Sequence, residues 1–158
     1  MHISVQLKSG EKILIRTGSK EDLKSVFSLV NILAEFEKAA DAVKTSPEIY
    51  LRDFEAGWFE IIIAESEDTG IIGMALFYQS YSTWKGKMIY LDDLVVEPDY
   101  RSKGIGSLIL DALIEESRLR AASLLKWQVL DWNEDAIRFY KRKDAIIEDD
   151  WLNCKLFL

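Results

Sequence analysis

The residues best placed to do chemistry lie in Tyr90–Gly106, YLDDLVVEPDYRSKGIG. An apolar run closes at Glu97-Pro98-Asp99, and Arg101-x-x-Gly104-x-Gly106 then leads directly into the apolar periodicity of a helix. Glycine lets backbone approach a ligand closely, and the N–H groups of a first helical turn have no intrahelical partner. With the positive end of the helix dipole, Arg101 and Lys103, such a turn is a cradle for a pyrophosphate. It is not a Walker loop, because no Gly-Lys-Ser/Thr follows, and it lacks the third glycine of the dinucleotide fingerprint. A glycine-relieved strand-to-helix turn that binds nothing has the same pattern, so the motif alone leaves both readings open. The chain has one histidine, His2, beside the initiator Met where chains usually fray, and one cysteine, Cys154. Ser–His–Asp, Cys–His and His-ligated zinc chemistries are therefore almost ruled out, and a single cysteine leaves no disulfide framework and no CxxC motif. Cys154 falls in the strand-like run Leu152–Leu158 and is expected as a buried thiol.

The elements that must position these residues follow from periodicity. Ile3–Leu7 and Lys12–Arg16 flank a turn and predict a hairpin, with Met1–Glu11 either a subunit-exchange arm or simply an added hairpin. Ser19 with Asp22 is an N-cap signature, and Leu23, Val26, Phe27, Val30, Leu33 and Ala34 form one helical stripe. Ser46-Pro47 starts a second helix that should stop at Gly57. Phe59–Ala64, Ile71–Tyr78 and Met88–Val96 predict strands, with Tyr81–Gly86 as a loop. Ile105, Leu108, Ile109, Ala112 and Leu113 give the clearest helix, followed by a strand over Leu124–Leu130, a helix over Asn133–Lys143 and a final strand. The order predicts one α/β domain over the whole chain, a mixed central sheet flanked by helices. The 158 residues suit a single domain. Acids outnumber bases 27 to 20 for a net charge of −7, which disfavours nucleic acid and favours cationic partners. With no apolar leader and no run of spanning length, the expectation is a soluble, cytoplasmic protein that needs no membrane.

The motifs together resemble the GNAT superfamily of acetyl-CoA-dependent N-acetyltransferases, and within it the diamine acetyltransferases of the spermidine/spermine type. Arg101–Gly106 is similar to the superfamily's Q/R-x-x-G-x-G/A coenzyme motif. Tyr78–Gly86 (YQSYSTWKG), Leu91-Asp92-Asp93, and Trp132-Asn133-Glu134 followed by Phe139-Tyr140-Lys141-Arg142 match the narrower pattern. The resemblance runs from about Ile15 onward and implies a GNAT fold, acetyl-CoA as donor, no metal and a homodimer. It implies that the backbone of Leu94, Val95 and Val96 pairs with the pantetheine arm. Arg101, Ser102, Lys103, Gly104, Ile105, Gly106 and Ser107 would hold the pyrophosphate. Asn133, Glu134, Asp135 and Ala136 would continue the coenzyme site, with Tyr140 beside the sulfur. Asp92 stands where the family has an amine-contacting Glu; Phe36 and Glu37 match an acidic–aromatic substrate pair, and Lys126, Trp127 and Gln128 a substrate-lining strand.

Acid–base chemistry agrees with these roles. A primary amine with the lysine pKa of about 10.4 is almost wholly protonated at pH 7, and reaching its neutral form costs about 4–5 kcal/mol. Acidic residues bind the ammonium but raise that cost, so an acceptor must take the proton. Without a usable histidine, the candidates are Asp92, then Asp93 or Glu37, with Tyr140 returning a proton to the leaving thiolate. Direct attack needs no covalent intermediate. Other readings stand beside these. On spacing alone Tyr140 is an ordinary core aromatic. Glu37 alone reads as solvated. Asp92 and Asp93, as strand neighbours, face opposite ways unless a bulge intervenes. Most of the five tryptophans should be core, with Trp84 the one for a substrate wall or subunit contact. Asp144, Glu148, Asp149 and Asp150 form either a solvated face or an acidic rim, Asp149 lying near a family substrate glutamate. Asp144 replaces a usual glycine and would hold a left-handed backbone there. The shortened loop after it and the diluted acidic run Ala39–Ala42 put long polyamines in doubt more than acetyl transfer. The acceptor is thus a diamine, polyamine or lysine-like amino acid; a peptide acceptor or a non-catalytic acyl-CoA sensor are the alternatives.

Overall fold

The computed structural model describes residues 2–157, and the chain divides into two compact units, one ending at Trp127 and the other beginning at Gln128. The first unit holds six strands: β1 (His2–Gln6), β2 (Lys12–Thr17), β3 (Glu60–Ser66), β4 (Gly70–Ser82), β5 (Gly86–Val96) and β6 (Leu124–Lys126). They form one sheet in chain order, antiparallel except for the parallel pair β5–β6, so the sheet is mixed as predicted. Helices α1 (Leu23–Phe36) and α2 (Pro47–Glu55) precede β3, and α3 (Ile105–Leu119) connects β5 to β6. Leu23, Val26 and Leu29 of α1 pack on Ile61, Ile63, Met74, Leu76 and Val95, filling one face of the sheet. The buried residues Ile105, Ile109, Ala112 and Leu113 of α3 cover the other face, where the ideal Cβ of Gly73 comes 3.1 Å from Ile109 Cδ1.

Local chemistry sets the ends of these elements. Gly10 closes the first hairpin at φ +94°, and Ser46 accepts the Ile49 N–H at 3.3 Å to start α2. Gly57, left-handed at φ +77°, ends that helix where expected. Ser19 and Asp22 form the predicted capping box, though a 3₁₀ turn (Lys20–Asp22) precedes α1. Arg16 ties this start to the sheet: its guanidinium donates twice to Asp22 at 2.8 Å and once to Glu65 at 2.8 Å. Those bonds hold the mostly buried Asp22 carboxyl below its ordinary pKa. At the other end of the sheet, Arg120 donates to both carboxylate oxygens of Glu60 and to Glu116, fixing the end of α3 against β3.

The second unit contains α4 (Glu134–Lys141). Asn133 caps it through a 3.2 Å bond from the Ala136 N–H, and Asp144 lies left-handed at φ +58° just beyond, as expected. Five expectations are corrected. No strand forms after α4 among the described residues, and Cys154 is exposed, not buried. The strand predicted over Leu124–Leu130 ends at Lys126, and β4 runs on to Ser82, shortening the loop before β5 to Thr83–Lys85. The tryptophans are mostly outside the core: Trp58, Trp84 and Trp151 are 73%, 83% and 71% exposed. Aliphatic residues such as Ile61, Ile62, Ile63 and Leu76 already fill the sheet faces, leaving no room for indoles. Among the described residues, no helix is long and apolar enough to cross a membrane.

Candidate active site

Pairing between β4 and β5 runs evenly from Ser82↔Gly86 to Phe77↔Leu91, skips one residue, and resumes at Leu76↔Asp93. Asp92 is therefore the extra residue of a bulge, and the skip resets the alternation of side chains. Asp92 keeps the face of Tyr90, two residues earlier, which stacks on Tyr78 across the strands at 5.3 Å between ring centroids. Asp93 pairs with Leu76 and shares its face with Val95, the face covered by α1. Leu76 and Tyr78 alternate on that same face of β4, so both carboxylates project from one side of the sheet. The condition under which the two neighbours could act together is met.

A third carboxylate comes from the end of α1, where Glu37 caps the helix with its N–H on Leu33 O at 2.9 Å. Asp93 is largely buried, and its pKa is pushed up to about 7, first by burial and then by the charges of Asp92 and Glu37. Asp92 is open to solvent on one side yet crowded enough by protein that desolvation raises its pKa, and Glu37 is raised for the same reason. Three tyrosines share the region. Tyr50 of α2 is pushed up to about 12 by burial and then by the charges of Asp93 and Asp92. Tyr78 and Tyr90 are raised by burial, with the charge of Asp92 adding to each. Three carboxyls raised by burial, with Asp92 and Glu37 also raising Asp93, make a face that would be relieved by a cation. No group of three or more His, Cys, Asp or Glu residues placed to hold a metal ion occurs among the described residues.

Next to this acidic face the sheet opens. The parallel pairing of β5 with β6 has the register Met88↔Leu124, Ile89↔Leu125 and Tyr90↔Lys126, and goes no further. From Leu91 to Val96, β5 has no strand partner on that edge among the described residues. Arg101 closes the far end, its Nε donating to Val96 O at 3.0 Å and its guanidinium carbon 5.2 Å from the centroid of the Phe36 ring. Two left-handed residues, Ser102 at φ +59° and Gly104 at φ +86°, then bend the chain into α3. Leu108 N–H bonds back to Gly104 O at 3.1 Å, leaving the N–H groups of Ile105, Gly106 and Ser107 in the first turn with no carbonyl one turn below. A Cβ built on Gly104 meets nothing within 4 Å, so the space over the helix start is open. First-turn donors, the helix dipole, open space and Lys103 suit an anionic, phosphate-bearing group.

The remaining sequence-derived candidates lie elsewhere. Trp84 sits in the β4–β5 turn, four rungs past the Tyr78–Tyr90 stack, or about 13 Å along the strand. Lys126 ends β6 opposite Tyr90, and Trp127, mostly buried, closes the first unit. In the second unit, Gln128 donates to Asn153, Glu134 and Asp135 pair with Arg138, Tyr140 tilts against Phe139 at 5.1 Å between centroids, and Asp149 is exposed. Tyr50 and Tyr90 have no role in the reading from sequence. Tyr90 was within reach, because a strand's period of two places it on the face of Asp92. Tyr50 carries no local signal, since only the packing of α2 brings it to the carboxylates.

The chain is similar to known proteins along most of its length. The profile of the acetyltransferase (GNAT) family matches residues 26–144. A thialysine N-epsilon-acetyltransferase of Bos taurus is 39% identical over 142 residues, covering 84% of this chain and 84% of its own. An L-ornithine N5-acetyltransferase of Arabidopsis thaliana is 32% identical over 90 residues, covering 56% of this chain and 40% of its own. Among solved structures, an aminoglycoside acetyltransferase from an uncultured soil metagenomic sample superposes with a TM-score of 0.78 at 17% identity, covering 92% of this chain and 96% of that one; at this identity the likeness concerns the fold.

Proposed function

This chain belongs to the GNAT acetyltransferase family, whose members take acyl groups from acyl-CoA, and from that premise we propose that it transfers acetyl from acetyl-CoA to the terminal amine of a small basic acceptor. The acceptor class is a lysine-like diamino acid or a diamine. The observation that carries this reading is the bulge at Asp92, which puts Asp92 and Asp93 on one face near Glu37, beside Tyr50, Tyr78 and Tyr90. Three carboxylates attract the ammonium, and Asp93, with a pKa of about 7, holds a proton about as readily as it releases one at neutral pH. That property makes Asp93 the acceptor of the amine's proton, ahead of Asp92. The similarity to acetyltransferases named for thialysine and ornithine supports an acceptor that carries an amino-acid head and a terminal amine.

The chain's own groups divide the remaining work. The unpartnered edge of β5 at Leu94–Val96 offers backbone N–H and C=O groups to the amide-bearing arm of the donor. The start of α3, from Arg101 to Ser107, holds the donor's phosphates through backbone N–H groups and Lys103. Their match to the family motif implies that Asn133 to Ala136 contact the donor and that Tyr140 returns a proton to the departing thiolate. When bound, acetyl-CoA supplies the activated acyl group, and attack by the neutral amine is direct. A homodimer in the cytoplasm is part of the same proposal, and sedimentation of the purified protein tests the dimer.

The experiment is thiol release from acetyl-CoA against lysine, thialysine, ornithine, putrescine, cadaverine, spermidine and spermine. Turnover with the diamino acids or short diamines, at kcat/KM above about 10⁴ M⁻¹s⁻¹, is the expected outcome. Turnover with spermine but not with the short acceptors overturns the acceptor class. No turnover, with acetyl-CoA left unbound, overturns the donor assignment.

A further inference from the structure

The loop at the start of α3 is held from outside by residues that sequence motifs did not single out. Tyr100 is buried, and its hydroxyl donates to Glu11 Oε1 at 2.8 Å while sharing a 2.8 Å bond with Thr69 Oγ1. The same Glu11 oxygen accepts from Ser66 Oγ, which in turn accepts the N–H of Asp68 at 3.1 Å. Three separate segments therefore meet at one carboxylate: the end of the N-terminal hairpin turn, the β3–β4 turn, and the approach to α3. On its other side the Tyr100 ring carries Lys103, whose ammonium lies 4.7 Å from the ring centroid. Ser66, Tyr100 and the charge of Lys103 together keep the Glu11 carboxyl below its ordinary pKa, so it is ionised and can take part in all three interactions.

The backbone explains why such an anchor matters. Ser102 is left-handed at φ +59° without being glycine, a conformation that persists only where its surroundings enforce it. The two residues before it are both tied down, Tyr100 through Glu11 and Arg101 through Val96 O. We propose that Glu11 and Tyr100 are positioning residues that hold the Arg101–Gly104 loop and the Lys103 ammonium in their anion-binding arrangement, so that the N-terminal hairpin sets the affinity for the phosphate-bearing half of the donor. The proposal rests on the reading of that loop as the phosphate cradle.

The test compares binding of CoA with binding of pantetheine, which keeps the arm and thiol but has no phosphates. Tyr100→Phe retains the ring under Lys103 and loses only the hydroxyl; Glu11→Ala removes the carboxylate. Each is expected to weaken CoA about tenfold, or about 1.4 kcal/mol, and to change pantetheine binding less than twofold. The double variant should be no weaker than either single one, because both act through one contact. Glu11→Gln keeps an acceptor for Tyr100 and should restore most of the loss. Equal weakening of CoA and pantetheine would overturn the proposal in favour of general structural support, and unchanged CoA binding would show that the contact is idle. A wild-type protein that binds CoA no better than pantetheine overturns the cradle reading itself, a result distinct from any behaviour of the variants.

Discussion

Replacing Asp93 with Asn removes the carboxyl of the acidic face whose protonation straddles neutrality. Its pKa of about 7 stands about three pH units above the ordinary value of 3.8, and each unit corresponds to about 1.4 kcal/mol. The folded chain therefore keeps this proton where the unfolded chain has already released it, and stability falls as pH rises from about 4 to about 7. The accumulated loss above pH 7 is about 4 kcal/mol at most, because water entering the site and relaxation around the charge reduce it. Asn has nearly the same shape and no charge, so the variant escapes this slope. Asp93→Asn should exceed the wild type by about 1 kcal/mol at pH 5 and by about 3 kcal/mol at pH 8, allowing for that relaxation. Urea unfolding at both values, followed by tryptophan fluorescence, measures the difference directly. The variant should also lose the rising limb of the pH–kcat/KM profile near pH 7, with turnover down by about 10²–10⁴-fold. A stability difference independent of pH, or a variant less stable than wild type at pH 8, would refute the argument that the carboxylate is held protonated by its surroundings.

Two further substitutions probe the donor side. Gly104→Ala forces a side chain into a φ of +86° and should destabilise the protein by about 1 kcal/mol, seen as a lower Tm, while raising the KM for acetyl-CoA and leaving that for the amine alone. Tyr140→Phe should lower kcat at least tenfold with CoA affinity within twofold, measured by steady-state kinetics and calorimetry; unchanged kcat removes its role as proton donor.

The sequence already carried what depends on local patterning. The stripe Ile105–Leu113, the Pro47 helix start, the Gly10 and Gly57 turns and the strands before and after them all follow from spacing and backbone preference. The turn into α3 was legible for the same reason, since its glycines and first-turn donors are contiguous. What depends on partners was not. The bulge at Asp92 exists only in the register of β5 against β4, and a single strand's alternation sets Asp92 and Asp93 on opposite faces. The link from Glu11 to Tyr100 spans 89 residues and leaves no local mark. Leu152–Leu158 alternates like a strand, yet a strand forms only with a neighbour to complete its ladder, and none of its described residues has one. The tryptophans were misjudged because size and apolarity favour burial only where space remains, and smaller aliphatic side chains had taken it.

The extra residue in β5 also governs how this site can change over evolutionary time. Point substitutions at Asp92 leave the β-ladder intact, because that residue pairs with nothing on β4. If the proposed role of Asp92 at the acceptor holds, preference can drift there one residue at a time, at little risk to folding. Losing a residue between Leu91 and Asp93 is a different event: it restores strict alternation, turning either Val95 out of the α1 core or Leu91 out of the α3 side. Relatives that diverge in what they acylate should thus differ at this position in side chain and agree in strand length.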